Sequence, residues 1–253
     1  MTKLSIKNRF FLSTAAVALG FSILTKLMYW LNAYFSSNVN FTITDNIFLK
    51  ALPLVTNYAH IIFGTAFIAV SIGAVTYAVA HFGPATSYKV CLTALGAFVL
   101  AECGSYVYNI IYNSYNEAAL KATLVSVAIE LLYIAVLMFL SPVLSKAFIK
   151  ASLKNKTVLS RLSIGIAVIP SVAVYFIIKL AELALYTFDA VKTYINYGNT
   201  VSASVIISII LDVIYYFMLY FAAPAAIAML TVHTFTKITG PLKLKIKGDY
   251  SKK

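Results

Sequence analysis

The fold class follows from residues 203–232, ASVIISIILDVIYYFMLYFAAPAAIAMLTV, in which Asp212 is the one charged side chain. About 20 mainly apolar residues are enough for an α-helix to cross the hydrocarbon layer of a membrane. A helix also satisfies its backbone hydrogen bonds within one segment, as the hydrocarbon layer requires. The stretch therefore predicts a transmembrane helix.

Five earlier stretches have the same length and character. They are residues 10–31, 57–81, 89–112, 122–140 and 162–188. The connections between them carry the Asn, Ser, Gly, Pro and Lys that are typical of loops, and none is long enough to fold as a separate domain. We expect an all-α polytopic membrane protein with six transmembrane helices in one bundle, followed by a basic tail over residues 233–253.

The composition supports this class and excludes others. Of the 253 residues, 61% are hydrophobic and 11% are charged, against roughly 25% charged residues in soluble domains. So many apolar side chains cannot all be buried in a soluble core of this size. A disordered chain, a small disulfide-stabilised protein and an ordinary soluble enzyme are therefore excluded.

The net charge of +12 predicts an orientation rather than a nucleic-acid partner. Fifteen of the twenty cations lie in the two tails and in the second and fourth connections, and Lys50, Lys121 and Lys192 lie on the other side. By the positive-inside rule, both termini are cytoplasmic. We expect an integral protein of the bacterial cytoplasmic membrane whose first partner is the lipid bilayer. In the fourth connection, the helical spacing of Lys146, Lys150 and Lys154 predicts a short interfacial helix or a docking site for a cytoplasmic partner.

Half of the eight acidic residues lie inside the predicted spans. They are Glu102, Glu130, Glu182 and Asp212, in spans three to six. One charged side chain at the centre of a membrane costs roughly 2.5–3.5 kcal/mol on insertion scales, so ionisable residues there are candidates for function. Each acid also belongs to a polar stripe at helical spacing, which predicts that all four stripes face one cavity.

The remaining polar residues of the spans predict where this cavity opens. Lys26, His60 and Lys179 lie in the outer halves of their spans, whereas the inner halves hold no ionisable residue between their ends. We therefore predict a polar cavity that opens outward above an apolar floor. The candidate substrate-binding residues are Lys26, His60, Glu102, Asn109, Glu130, Tyr133, Lys179, Glu182 and Asp212.

The charges of these residues are compatible with two classes of ligand. Two lysines and four acids give a net charge of −2, which favours a small cationic solute. If burial keeps carboxyl groups protonated, the site would instead carry protons. A structural role is the alternative for part of the set, because Lys179 and Glu182 are spaced to pair on one helix face and Lys26 and His60 can reach the interface.

The sequence contains no motif that predicts catalysis. It lacks a phosphate-binding Gly-x-x-x-x-Gly-Lys loop, a His-Glu-x-x-His pair and a Gly-x-Ser-x-Gly turn. Cys91 and Cys103 are about 18 Å apart along one helix and cannot form a disulfide with each other. We expect no enzymatic activity and no metal site, and the sequence identifies no cofactor.

The first span carries small residues along its inner half, among them Ala16 and Gly20. Small residues let another helix approach closely, so this face is a candidate for docking a partner subunit. With six helices and internal termini, the architecture resembles the substrate-capturing subunits of energy-coupling-factor uptake systems. The leading hypothesis is a substrate-binding membrane transport protein, and the alternative is a non-catalytic structural or assembly subunit of a larger membrane complex.

Overall fold

A computed structural model describes residues 5–38, 47–112, 117–153, 161–197 and 202–239. Within these ranges the chain is helical apart from short turns and ends. The elements are α1 (Ile6–Asn38), α2 (Ile47–Phe82), α3 (Pro84–Tyr112), α4 (Glu117–Leu153), α5 (Arg161–Ile166), α6 (Ile169–Asn196), α7 (Ala203–Phe217), a π-helical turn (Met218–Ala222) and α8 (Ala223–Thr239).

Six helical segments are long and apolar enough to cross a membrane. Four of them are formed by α1 to α4, the fifth runs from α5 into α6, and the sixth from α7 through the π-turn into α8. This confirms the predicted all-α class and the presence of six helical segments with the length and hydropathy of membrane spans. The cytoplasmic placement of both termini stays a prediction.

The prolines explain why the last two spans are interrupted. Between α5 and α6, the amides of Ala167 and Val168 donate to carbonyls three residues back, each at 3.2 Å. Pro170 lies in the first turn of α6, where its missing N–H is tolerated. In the sixth span, the π-turn ends two residues before Pro224. Both interruptions thus occur where a proline removes a backbone donor.

Helix α4 continues without a break to Leu153, although Pro142 lies inside it. Because Pro142 has no N–H, the carbonyl of Met138 loses its helical partner. The Cys91 Sγ of α3 donates to that carbonyl at 3.1 Å. Because α4 is continuous to Leu153, the prediction of a short interfacial helix separate from the fourth span is wrong. Lys146 and Lys150 belong to α4, and Lys154 lies outside the described residues.

Helix α2 is the centre of the bundle, and it is buried continuously from Thr65 to Ala80. It packs against α1, α3, α4 and α8. The approach to α8 is closest at Gly73, where a Cβ atom would lie 2.7 Å from the Ala228 carbonyl oxygen. A residue without a side chain is required there, because small residues allow helix backbones to approach closely.

An aromatic cluster closes one end of the bundle. Phe10 of α1 contacts Tyr77 and Phe82 of α2 and Phe235 of α8, with ring centroids 5.0–5.4 Å apart. We call this end, where α1 begins and α8 ends, the terminal side. The packing of large aromatic side chains excludes water from the axis of the bundle there.

Candidate functional site

A cavity of about 130 Å³ lies halfway along the bundle, and every one of the six spans contributes to its wall. Thr65 and Tyr220, two of its lining residues, lie at the midpoints of the spans Ile47–Phe82 and Ala203–Lys237. A bilayer centred on these helices would therefore place the cavity near its midplane. The polar and ionisable residues of the wall are Ser22, Thr25, Lys26, His60, Thr65, Glu130, Tyr133, Tyr175, Lys179 and Tyr220.

Seven of the nine residues predicted from the sequence meet at this cavity or pair with its wall. Lys26, His60, Glu130, Tyr133 and Lys179 line it directly. Glu102 and Glu182 do not line it, but each forms an ion pair with a lysine that does.

The first ion pair joins α1 to α3. Lys26 Nζ contacts Glu102 Oε1, and the two side chains are only 16% and 7% exposed. The ammonium group also lies 5.9 Å from the centre of the Tyr29 ring and 6.0 Å from that of Phe98. The pair and the rings together compensate the cost of placing a lysine at this depth.

The second pair lies within one turn of α6. Lys179 Nζ donates to Glu182 Oε2 at 2.7 Å, but the Glu182 side chain is 49% exposed. Lys179 also lies 4.9 Å from the centre of the Tyr133 ring and 5.9 Å from that of Tyr220. Lys179 and Glu182 thus form an ion pair on one face of α6, as their three-residue spacing permits.

Glu130 is the carboxylate of the cavity wall that belongs to neither ion pair. Among the described residues, no hydrogen bond or ion pair to it is found, although it lines the cavity. It is close enough to Glu102 for the two carboxyl groups to interact electrostatically. Counting Lys26 and Lys179 against the carboxylates of Glu102, Glu130 and Glu182 gives a formal net charge of −1, because each lysine has its own carboxylate partner and Glu130 has none among the described residues.

His60 is fixed by a hydrogen bond to the neighbouring helix. Its Nδ1 lies 3.0 Å from the Thr25 carbonyl oxygen, which can only accept, so Nδ1 is the protonated nitrogen. In the neutral ring, Nε2 is then a hydrogen-bond acceptor. The His60 ring also packs against Tyr29, with centroids 5.5 Å apart. The imidazole is half-buried in the wall of the cavity rather than extended to an interface.

Several lining residues had not been predicted. Ser22 is 4% exposed, and among the described atoms its Oγ has no hydrogen-bond partner. Phe98 and Tyr220 were also missed, whereas Tyr175 lies four residues before Lys179, at the helical spacing of the polar stripe in span five. Tyr220 could not be found by helical spacing from Asp212, because the π-turn changes the register in between.

Asp212 is not part of the cavity, so the prediction that four polar stripes share it is wrong for span six. All fifteen residues of α7 are described, and none is buried. This helix packs mainly on α6 and the π-turn, at the margin of the bundle. A polar stripe marks one face of a helix, but it does not specify which neighbour that face meets.

The remaining predicted residues are Asn109, Ala16 and Gly20. Asn109 lies in α3, where its side chain is outside the described part of the structure. Ala16 is exposed, and a Cβ atom built on the half-buried Gly20 would meet no atom within 4 Å. This part of α1 therefore has room for contact with another molecule.

The region between the cavity and the terminal side is densely packed. Every residue of α2 from Val70 to Ala80 is buried. Two hydroxyl groups of this region, Thr76 Oγ1 and Ser145 Oγ, form a hydrogen bond of 2.9 Å, whereas the buried Ser171 Oγ of α6 has no partner among the described atoms. The predicted floor thus contains buried hydroxyl groups as well as apolar side chains, and the aromatic cluster lies below it.

Comparison with protein families, with curated proteins and with solved structures gives no match for this chain. The resemblance to substrate-capturing uptake subunits therefore rests on sequence features alone. Among the described residues, no three His, Cys, Asp or Glu side chains are grouped as metal ligands would be.

Proposed function

We propose that the protein is a substrate-binding integral membrane transport protein of the bacterial cytoplasmic membrane, and that its central cavity accepts a small cation or a proton. The observation that carries the proposal is Glu130, a carboxylate in the cavity wall without an ion-pair partner among the described residues. Such a group at membrane depth is costly unless a cation, a proton or water compensates it.

The size of the cavity limits the ligand. A volume of about 130 Å³ corresponds to roughly four water molecules at ~30 Å³ each. Drug-sized ligands occupy pockets of about 300–1,000 Å³, so they would not fit. A proton carried by Glu130 and water, or a compact ammonium ion, matches both the volume and the charge.

The aromatic residues favour a cation over a neutral solute. Tyr133 and Tyr220 already lie near one ammonium group, that of Lys179. Aromatic faces attract cations by their quadrupoles, and a carboxylate adds a direct charge. Tyr175 contacts Tyr220 with ring centroids 5.9 Å apart, so the rings form a continuous wall. The wall and Glu130 thus have the chemistry of an ammonium-binding site.

Because the terminal side is packed, passage of a solute through it would require a conformational change or a partner subunit. A solute in the cavity is separated from the terminal side by the buried part of α2 and by the aromatic cluster. The interruptions at Pro170 and Pro224 supply positions at which spans five and six can bend. Transport would then proceed by movement of these segments.

The test uses the purified chain in liposomes, with radiolabelled methylammonium as the cation probe and a trapped pH dye for protons. We expect Glu130→Gln to reduce methylammonium binding, or proton flux, at least tenfold, because removing one partner of a buried charge contact costs 2 kcal/mol or more. Asp189→Asn is the matched control, since Asp189 is an exposed acid near the end of α6. Equal activity of wild type and Glu130→Gln in both assays would overturn the proposal.

Asp212 favours the second candidate, a non-catalytic subunit of a larger membrane complex. It is exposed nine residues into α7, about 14 Å along the span. A carboxylate facing lipid at that depth would be costly, so a partner helix with a basic or hydrogen-bonding side chain would stabilise it. This candidate predicts that Asp212→Asn abolishes co-purification of another membrane protein, whereas the transport proposal predicts wild-type binding of methylammonium in the same variant.

A further inference from the structure

The two ion pairs beside the central cavity differ in how firmly they hold their lysines. The side chains of Lys26 and Glu102 are only 16% and 7% exposed, and two aromatic rings flank the ammonium group. Lys179 is also 16% exposed, but the side chain of its partner Glu182 is 49% exposed. An exposed ion pair contributes little to stability, whereas breaking a buried pair is costly. Lys179 is therefore the lysine that leaves its partner more easily.

A second carboxylate lies near Lys179, in the wall of the same cavity. Lys179 of α6 and Glu130 of α4 both line this cavity of about 130 Å³. Tyr133, one turn after Glu130 on α4, is a neighbour of both. The Lys179 ammonium group is 4.9 Å from the centre of the Tyr133 ring, and Tyr133 is close enough to Glu130 and Glu182 to interact with both carboxylates electrostatically. Because a lysine carries its ammonium group on a flexible four-carbon stem, rotation of this stem is the motion that would bring it to Glu130.

A cation in the cavity and the ammonium group of Lys179 would compete for Glu130. With Lys179 on Glu182, the Glu130 carboxylate is available to a cation or a proton. With Lys179 on Glu130, that carboxylate is neutralised and the remaining negative charge lies on the half-exposed Glu182. The face of the Tyr133 ring is shared in the same way, because it can attract either ammonium group. One positive charge at Glu130 therefore excludes the other.

We propose that Lys179 is a tethered competitor of the cation, exchanging between Glu182, where it leaves the site open, and Glu130, where it closes the site. The described position of Lys179 is the open one. This inference rests on the proposed function, because it assigns the regulation of the cation site at Glu130. Lys179 and Glu182 are positioning residues in this scheme. Glu182 holds Lys179 away from Glu130, and departure of the cation lets Lys179 take its place.

The first test measures the binding of radiolabelled methylammonium to the purified full chain in detergent at constant pH. Lys179→Met keeps an apolar stem and removes the charge, so it should lower the dissociation constant at least about threefold. Glu182→Gln releases Lys179 to Glu130, so it should raise the dissociation constant at least about threefold. Lys192→Met is the matched control and should bind like wild type, because Lys192 is an exposed lysine near the end of α6 and does not line the cavity.

A double variant separates exchange of the lysine from a direct effect of the Glu182 charge. A direct effect would weaken binding by the same factor with or without Lys179. If Glu182 acts by holding Lys179, then Glu182→Gln should have no effect in the Lys179→Met background. An equal loss in both backgrounds would overturn the proposal. Loss of binding in Glu130→Gln, together with unchanged dissociation constants in Lys179→Met and Glu182→Gln, would overturn it too and leave the proposed function intact.

A second measurement requires no ligand. Unfolding by a denaturing detergent is followed without added cation, and circular dichroism establishes that each variant is folded at the start. In the wild-type background, Glu130→Gln removes a carboxylate without an ion-pair partner among the described residues. In the Glu182→Gln background it removes the new partner of Lys179, so it should raise the unfolding equilibrium constant at least about fivefold more there. Equal effects in the two backgrounds would contradict the exchange, whether or not wild type binds methylammonium.

Discussion

The ion pair between Lys26 and Glu102 makes a quantitative prediction about stability. Its side chains are 16% and 7% exposed, and it links α1 to α3. Replacing Glu102 by Gln leaves the Lys26 ammonium group buried without its counter-charge, which costs about 3–5 kcal/mol. At 1.36 kcal/mol per factor of ten, the lower value corresponds to a roughly 150-fold increase in the unfolding equilibrium constant.

The Lys179–Glu182 pair supplies the matched comparison. Because the Glu182 side chain is 49% exposed, Glu182→Gln should cost no more than about 1 kcal/mol. Unfolding is followed in mixed micelles by titration with a denaturing detergent. The single tryptophan, Trp30, lies one turn from Lys26 and reports on this region by fluorescence.

A double variant checks that the missing counter-charge is the cause. Lys26→Met/Glu102→Leu removes both charges and keeps apolar volume, so it should recover most of the stability that Glu102→Gln loses. The reasoning is refuted if Glu102→Gln is no less stable than Glu182→Gln, or if the double variant is as unstable as Glu102→Gln.

Three further predictions concern packing, a hydrogen bond and topology. Gly73→Ala should destabilise the protein by about 1–3 kcal/mol in the same titration, because its Cβ would lie 2.7 Å from a backbone oxygen of α8. Gly96→Ala should not destabilise the protein, because no atom lies within 4 Å of a Cβ built there. Equal effects of the two variants would exclude tight packing as the cause. Cys91→Ala should cost about 1 kcal/mol because the Met138 carbonyl that Pro142 releases loses its donor, whereas Cys91→Ser should be close to wild type; a stable Cys91→Ala would show that the bond contributes nothing. Alkaline phosphatase should be inactive when fused to the C-terminus and active when inserted between α6 and α7, and the reverse pattern would contradict the predicted orientation.

Much of the cavity could be predicted because charged residues are so rare in these spans. Each of Lys26, Glu102, Glu130 and Lys179 interrupts a long apolar segment, and a charged side chain there is expected to face the interior of the bundle rather than lipid. The same reasoning failed for Asp212. Helical spacing groups residues on one face of one helix, but the edge position of α7 is decided by how the other helices pack.

The sequence by itself determined the all-α class, the six long apolar helices and the polar residues within them, because length and hydropathy alone decide which segments can cross a bilayer. The tertiary structure decided which charges neutralise each other. Lys26 is 76 positions from Glu102, and no spacing rule could join them across two helices. It also showed that Glu130 lines the cavity without an ion-pair partner among the described residues, which depends on the positions of both lysines at once. The pattern of hydropathy along the chain thus determines the helices, whereas the charge of the site is determined by distances between side chains on different helices.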